Sequence, residues 1–319
     1  MREFISEVLE KHQVRKTKAQ KTRFIGYVKE AAASSGYSAH VERGAFGVRN
    51  IIVGDPSRAR VVFSAHYDTC PVLPMPNFIT PKRFDIYLMY QMVLLAVLLF
   101  LPCAAVFLGI TALLQCGAID ESVAGNLLPF LLELCLISMV LLVMFGPANK
   151  HTANDNTSGV VTLISIMRDI APEERANAAF IFFDHEELGL LGSSSYRSKH
   201  KFMMRDKLLI NFDCVSDGDH IMLVLRKGAI KYKDAIGLAY RDDGGLKVEV
   251  ASKGVFYPSD QAVFRCGVGV AALKSTKDGV LYMDRIHTPR DTVFCEENIE
   301  YLTRSSLELV KILGENNAL

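Results

Sequence analysis

The feature that most constrains this chain is a long segment, residues 84–146, that contains no lysine or arginine. Its only acids are Asp85, Asp120, Glu121 and Glu133. Residues 86–114 and 123–145 within it each meet the length of about 20 apolar residues that a helix needs to cross a bilayer. Helices that are apolar on every side are rare in the core of a domain of this size. The segment therefore predicts two membrane-spanning helices rather than two buried core helices.

Flanking charge predicts how this hairpin is oriented. Lys82 and Arg83 precede the first span and Lys150 follows the second, whereas the short connecting turn, residues 115–122, carries only acids. The positive-inside rule then places both ends of the hairpin, and the rest of the chain, on the cytoplasmic side of the cell (inner) membrane. The first residues of the chain contain no apolar core of a signal peptide, which agrees with that orientation.

Glu133 lies near the middle of the second predicted span. It is either an acid that reaches towards the headgroups or a polar contact between helices or with a substrate. Two isolated helices would offer this carboxylate few polar partners, so we predict that hairpins could pair in a homo-oligomer.

The rest of the chain has the composition of an ordinary soluble domain. The formal net charge is +1 and 22% of the residues are charged. No basic stripe is available to engage phosphates, so we predict no nucleic-acid partner. The seven cysteines include no CxxC pair, which favours reduced thiols over disulfides or structural zinc. We predict one discontinuous catalytic domain, residues 1–83 and 147–319, interrupted by a hairpin insertion at 84–146.

Helix and strand patterns alternate in that domain. Four amphipathic segments predict helices at residues 2–13, 19–35, 158–170 and 297–313. Runs rich in Val, Ile and Phe predict strands at residues 38–43, 48–53, 60–65, 178–183, 208–212, 221–225, 247–250 and 268–273. Continuous apolar runs between helices indicate strands that are buried on both faces. The predicted fold class is therefore α/β, a three-layer sandwich around a mostly parallel mixed sheet.

Polar side chains follow several of the predicted strands, where ligands collect in open α/β sheets. The motifs are His66-Tyr67-Asp68, Asn154-Asp155-Asn156, Glu186-Glu187, Asn211-Phe212-Asp213 and His287-Thr288-Pro289. Taken singly, each has an ordinary structural explanation, such as a buried histidine or a helix cap. Taken together, two imidazoles and several carboxylates are the donors that a pair of divalent metal ions needs. A further carboxylate that binds no metal could then take a proton from water.

This ordered set closely resembles the motifs of the co-catalytic di-zinc exopeptidases, the family of bacterial leucyl aminopeptidases, aminopeptidase Y and glutamate carboxypeptidase. The resemblance implies two zinc ions with Asp155 as the bridging ligand. His66 and Asp213 would complete one site. Glu187 and His287 would complete the other. The ligand types alone do not distinguish zinc from cobalt or manganese.

The resemblance also implies roles beyond the metal ligands. Glu186 would be the general base and later the proton donor to the leaving amine. Asp68 would accept the second N–H of the His66 imidazole and fix its tautomer. The segment Pro258-Ser259-Asp260-Gln261 is similar to the family's substrate-side Ser-Asp-His loop, with Gln in place of His. Asp260 and the neighbouring Tyr257 are therefore substrate-side candidates.

The hairpin is inserted between two motifs that the family joins by a short loop. Asp155 lies 89 residues after His66, and nine residues connect Phe145 to Asp155. Nine extended residues reach roughly 30 Å, so the metal site is expected close to the membrane surface. The insertion is either an anchor in a tolerant loop or a hydrophobic entrance for substrate from the bilayer.

The predicted function is a membrane-anchored di-zinc aminopeptidase that hydrolyses the N-terminal bond of apolar peptides, with peptide and lipid bilayer as its partners. One alternative is an acyltransferase similar to glutaminyl cyclases, which uses a single zinc ion. Another is an amidohydrolase or carboxypeptidase that acts on N-acyl amino acids. A catalytically silent membrane scaffold is disfavoured because every expected ligand is present.

Overall fold

A mixed β-sheet forms the centre of the computed structural model, which describes residues 2–315. Residue 1 and residues 316–319, at the ends of the predicted catalytic domain, lie outside the described residues. The described strands are β1 (Ala39–Arg43), β2 (Arg49–Val53), β3 (Val61–His66), β4 (Ala178–Phe183), β5 (Leu208–Phe212), β6 (His220–Leu225), β7 (Lys247–Ala251), β8 (Gly267–Ser275) and β9 (Leu281–Tyr282). Their order is β1-β2-β4-β3-β5-β8-β6-β7, and β9 pairs with β8.

The parallel part of the sheet is its middle. Strand β3 runs parallel to both β4 and β5, and β5 runs parallel to β8. The outer pairs β1–β2, β2–β4, β6–β8 and β8–β9 are antiparallel, and β6–β7 is parallel. The prediction of a mixed sheet is confirmed, although parallel pairing dominates only among β4, β3, β5 and β8. The carboxyl ends of these central strands therefore lie at one edge.

Helices cover both faces of the sheet. The described helices are α1 (Glu3–Lys11), α2 (Lys18–Ser34), α3 (Phe84–Leu95), α4 (Leu101–Gln115), α5 (Glu121–Phe145), α6 (Gly159–Asp169), α7 (Leu191–Lys199), α8 (Lys233–Ala239) and α9 (Glu296–Glu315). Of these, α3, α4 and α5 form the apolar insertion. Successive residues of β3 point into two different hydrophobic cores, one on each face of the sheet. Phe63 packs in the core formed with helices α1, α2, α6 and α9, and Val62 packs in the core that contains Tyr196 of α7. All residues of β3 and β4 are buried, as the continuous apolar runs predict. The three-layer α/β fold is confirmed.

Two apolar helices extend from this body between β3 and β4. Helix α3 continues through a wider turn, Ala96–Phe100, into α4, so that Phe84–Gln115 is one continuous helix. It packs against α5, and both are long and apolar enough to cross a membrane. Almost none of the residues in their most apolar windows is buried. Core helices of a soluble domain would be covered, so the described hairpin does not have the burial of core helices. Glu133 is exposed on its surface.

The first two turns of the hairpin pack against the α/β domain. The rings of Phe84 and Tyr87 lie 5.5 and 5.4 Å from the ring of Phe256, between centroids. The Tyr90 hydroxyl donates to the Pro76 carbonyl (2.8 Å), and the Gln91 amide donates to the side chain of Asn77 (3.0 Å). The helix thus becomes independent of the body only after Gln91, several residues beyond the predicted start of the first span.

Candidate metal centre

Three neighbouring parallel strands deliver most of the candidate ligands. His66 is the last residue of β3, and Asp213 directly follows β5. Glu186 and Glu187 follow β4 after a tight turn in which His185 has a positive φ of 55°. Because these strands are parallel and adjacent, their carboxyl ends bring the side chains to one place.

The loop that follows the hairpin supplies Asp155. Residues Ala153–Ser158 are all buried and form an irregular turn that leads into α6, with a cis peptide bond between Asp155 and Asn156. The Asn156 side chain donates to the Phe212 carbonyl (2.9 Å) and accepts from the Gly159 N–H (3.0 Å), which ties the loop to the end of β5. The Asp291 carboxylate accepts from the N–H groups of Asn154 (2.8 Å) and Asp155 (2.9 Å). The loop is therefore fixed from both sides.

The five predicted ligands converge in two groups that share Asp155. In the first group, His66 Nε2 lies 3.3 Å from Asp155 Oδ1 and 3.4 Å from Asp213 Oδ1. In the second group, His287 Nε2 lies 3.1 Å from Asp155 Oδ2 and 3.4 Å from Glu187 Oε2. The two oxygens of one carboxylate thus face two different sets of donors.

These distances fit metal coordination. Two ligand atoms bound at about 2.0–2.1 Å to one tetrahedral zinc ion lie about 3.3–3.4 Å apart. Glu187 Oε1 is buried and has no hydrogen-bond partner, as expected of an oxygen placed for a cation. Imidazole and carboxylate donors also suit zinc. The residues present therefore fit a zinc centre, although the ligand role of each remains a prediction.

Several buried carboxylates lie close together in the site, and they raise the pKa values of their neighbours. Burial, followed by the charge of Asp155 among the nearby carboxylates, raises the pKa of Glu187 to about 8. Burial and then Glu187 raise the pKa of Glu186 well above its usual value. Burial alone would lower the pKa of His287, but Glu187 and Asp155 outweigh it and raise that pKa to about 9. Without cations the site holds protons, and it would release them when metal binds.

Asp68 positions the two glutamates rather than only one histidine. Its carboxylate oxygens accept from the N–H groups of Glu186 (3.0 Å) and Glu187 (3.3 Å). The atom of Asp68 nearest to His66 Nδ1 is the backbone carbonyl oxygen, at 3.1 Å, whereas the carboxylate lies at 3.7 Å. The contact to the imidazole that the resemblance assigns to the carboxylate is thus made mainly by the backbone.

The substrate-side candidates are both buried. The Tyr257 hydroxyl donates to the backbone carbonyl of Asp213 (2.8 Å), so it supports a ligand from behind. Both carboxylate oxygens of Asp260 are buried without a hydrogen-bond partner. Gln261, which replaces the family's histidine, donates to the Tyr257 carbonyl (2.8 Å) and accepts from Asn211 (3.2 Å). That glutamine holds the loop in place.

Three residues near the site have no assigned role from the sequence. Asp291 holds the loop of Asp155, and Cys70 lies with Asp155, Glu187 and His287 in one group of donor atoms. Arg15 is fully buried, and its Nε donates to the Tyr67 carbonyl (2.5 Å) while Nη1 donates to Thr157 (3.1 Å). Burial lowers the pKa of Arg15 to about 10, although Asp68 and Asp155 partly oppose that shift. Asp291 and Cys70 could have been found from the sequence, because they lie close to the His287 and His66 motifs. Arg15 could not, because it lies in a run of basic residues that is typical of an exposed surface.

Comparisons with known proteins agree with this geometry. The family model described as Peptidase family M28 matches residues 141–305. A search of curated protein sequences finds no match.

Solved structures of two enzyme types share the fold. The LapA aminopeptidase of Legionella pneumophila matches with a TM-score of 0.54 and 12% identity, over 97% of this chain and 69% of that one. A leucine aminopeptidase precursor from Bacteroides thetaiotaomicron matches with 0.54 and 15%, over 96% and 94%. The glutaminyl cyclase of Porphyromonas gingivalis matches with 0.55 and 15%, over 98% and 96%. The structural similarity indicates a common fold. Sequence identities of 12–15% are too low to indicate which reaction this chain catalyses.

Proposed function

Since the chain belongs to peptidase family M28, whose members are zinc-dependent exopeptidases, we propose that it is a membrane-anchored aminopeptidase with two metal ions. The observation that supports this proposal most directly is the placement of Asp155. Its two oxygens face separate donor pairs, His66 with Asp213 and His287 with Glu187, at 3.1–3.4 Å. A bridging carboxylate requires that arrangement.

The chain's own residues would perform the proton transfers. Bound zinc ions would polarise the scissile carbonyl and lower the pKa of a water molecule. Glu186 lies beside the donors, in a group with His66 and Glu187, and its backbone is held by the Asp68 carboxylate. Burial makes its carboxylate a stronger base. A carboxylate oxygen of Glu186 would take the proton from the attacking water and return it to the leaving nitrogen.

The experiment that tests this function uses the full-length protein in phosphatidylcholine nanodiscs. We expect hydrolysis of aminoacyl 4-nitroanilides and two metal ions per chain by elemental analysis. Glu186→Gln should keep its metal and lose a factor of about 10² to 10⁴ in kcat, the usual contribution of a general base. Glu173→Gln, at an exposed position, is the matched control. A Glu186→Gln enzyme with normal kcat would contradict the assigned base.

The hairpin supports the membrane part of the proposal. Its two helices are long and apolar enough to span a bilayer, and large apolar side chains such as Leu108 and Phe130 are exposed along them. We propose that both spans cross the membrane and that the discontinuous domain, residues 1–83 and 147–319, lies in the cytoplasm. The base of α3 contacts Phe256, next to Tyr257 that supports Asp213. Substrate that arrives along the hairpin would therefore meet the site, which favours apolar peptides.

Glutaminyl cyclisation is the second candidate because glutaminyl cyclase structures cover nearly the whole chain. A cyclase of this kind would need only the donors around one metal. The presence of His66 and Asp213 as a second donor pair favours two metals and hydrolysis. Counting metal per chain and assaying glutaminyl peptides separates the two reactions. Hydrolysis of N-blocked substrates would instead indicate an N-acyl amidohydrolase or a carboxypeptidase.

A further inference from the structure

A cavity of about 350 Å³ lies beside the candidate metal centre and is lined mainly by cations. We call it the basic cavity. Its charged lining residues, apart from His185, are Lys16, Lys18, Lys21, Arg43, Arg49 and Asp184. His185 also lines it and directly precedes Glu186 in the chain. The basic cavity therefore adjoins the turn that carries the proposed general base.

The positive charge of the basic cavity is largely uncompensated. Asp184, the one carboxylate in its lining, is already engaged by Lys21 (2.5 Å) and by the N–H groups of Arg49 and His185 (both 3.0 Å). Among residues 2–315, no carboxylate lies within ion-pair distance of the other four cations. Within the part of the chain that the structure describes, the Arg49 guanidinium donates only to neutral oxygens, Thr22 Oγ1 (2.8 Å) and the Lys18 carbonyl (3.2 Å). Such a cavity attracts an anion.

Lys16 connects the basic cavity to the metal centre and to the hairpin. Its ammonium donates to the carbonyl of Met144, in the last turn of α5 (3.2 Å). It is half-buried, which lowers its pKa, while the nearby Cys70, Glu187 and Asp68 act in the opposite direction. Its chain neighbour Arg15 donates from its backbone N–H to Thr69 Oγ1 (3.1 Å) and from Nε to the Tyr67 carbonyl (2.5 Å), so Lys16 is anchored beside the segment that follows His66.

We propose that the basic cavity binds the free C-terminal carboxylate of a short peptide whose N-terminal residue lies at the metal centre. This inference rests on the proposed aminopeptidase function and names its substrate class. An extended peptide advances at most about 3.3–3.6 Å per residue, so a di- or tripeptide keeps its carboxylate within roughly 10 Å of its first residue. Lysine and arginine bind carboxylates through charge-assisted hydrogen bonds. Dipeptides and tripeptides are therefore the preferred substrates, and longer or C-terminally amidated peptides are disfavoured.

The test compares a leucyl dipeptide as free acid and as C-terminal amide, with the full-length enzyme in phosphatidylcholine nanodiscs. We expect kcat/KM to be about tenfold or more higher for the acid. Lys16→Met should reduce this acid-to-amide ratio towards one, mainly through KM, and Lys16→Arg should restore part of it. The ratio is informative because a structural defect lowers both substrates together. Lys29→Met, an exposed lysine on α2, is the matched control.

Three results would overturn the inference. One is equal kcat/KM for acid and amide in the unchanged enzyme. Another is a Lys16→Met enzyme that keeps the full ratio. A third is a rate that depends on phosphatidylglycerol in the nanodisc with no preference for the acid, which would assign the basic cavity to a lipid phosphate. Normal hydrolysis of aminoacyl 4-nitroanilide in any of these cases would leave the proposed function standing, whereas its absence would remove both.

Discussion

Asp260 is a carboxyl group that the fold buries completely. Burial is the main reason that its pKa rises from 3.8 to about 7. A raised pKa means that the folded chain binds more protons than the unfolded chain between these two values. The contribution of Asp260 to the free energy of unfolding of the metal-free protein should therefore fall as the pH rises from about 4 to 7.

The variant Asp260→Asn tests this consequence. At pH 8 it removes a buried charge and should raise the Tm of the metal-free protein, since each pKa unit corresponds to about 1.4 kcal/mol. At pH 5 the carboxyl is already neutral, and the variant should change Tm little. Thermal unfolding at both pH values gives the comparison, with the exposed Asp278→Asn as control. An equal effect at both pH values would contradict the raised pKa.

The residue types predicted the location of the site more accurately than they predicted the contacts of each side chain. The five ligand candidates are recognisable because metal chemistry restricts their types and because His66, Glu187 and Asp213 lie at or just after the ends of strands. Asp68 and Tyr257 are in the predicted places, yet their hydrogen bonds go to backbone groups of Glu186 and Asp213. Such contacts depend on loop conformation, which residue type does not specify. Arg15 could not be predicted because its burial depends on the fold of the segment between α1 and α2.

At the scale of secondary structure, the ion pair between Lys21 and Asp184 joins α2 to the end of β4. The two side chains are 6% and 1% exposed, and Nζ lies 2.5 Å from Oδ1. Removing one partner of a buried pair typically costs about 3–5 kcal/mol because the other charge stays buried. Lys21→Met should therefore lower the Tm strongly in thermal unfolding.

Two further variants show whether the pair itself is responsible. Lys21→Met combined with Asp184→Asn should recover part of the loss, because no unpaired charge remains. Lys11→Met breaks an exposed pair with Glu7 and should change stability by less than about 1 kcal/mol. If Lys21→Met lowered the stability no more than Lys11→Met, the Lys21–Asp184 pair would not be what holds α2 against β4.

The helices and strands that could be predicted from the sequence are those with a long apolar or amphipathic pattern. Strands β3, β4 and β5 and helices α2, α6 and α9 occur within a few residues of their predicted bounds. Helix α7 has the sequence LGSSSYRSK, and α8 has only seven residues, so neither shows an apolar period long enough to recognise. Strand β9 is a two-residue pairing that depends on β8 being in place. The start of the first span stays a prediction, because aromatic residues such as Tyr87, whose ring lies beside Phe256, suit a protein contact as well as lipid.

At the scale of the whole molecule, the proposed topology can be tested by labelling Cys116. This cysteine is exposed directly after α4, in the turn between the two spans. A membrane-impermeant maleimide should label it in intact spheroplasts, since the turn is predicted to lie outside the cytoplasm. Cys116→Ser should abolish that labelling, because Cys70, Cys214, Cys266 and Cys295 belong to the domain that we propose to be cytoplasmic, and Cys103 and Cys135 lie within the proposed spans. Labelling that requires permeabilised cells would reverse the proposed orientation.

The position of the hairpin in the chain also determines the order in which the enzyme can be made. A ribosome releases His66 first, then the two apolar helices, and only afterwards Asp155, Glu187, Asp213 and His287. Strand β3 can therefore pair with β4 and β5 only after both apolar helices have been synthesised. In the proposed arrangement, the hairpin would enter the membrane before the ligands from Asp155 onward are made, so the hydrolytic site would be completed at the membrane surface.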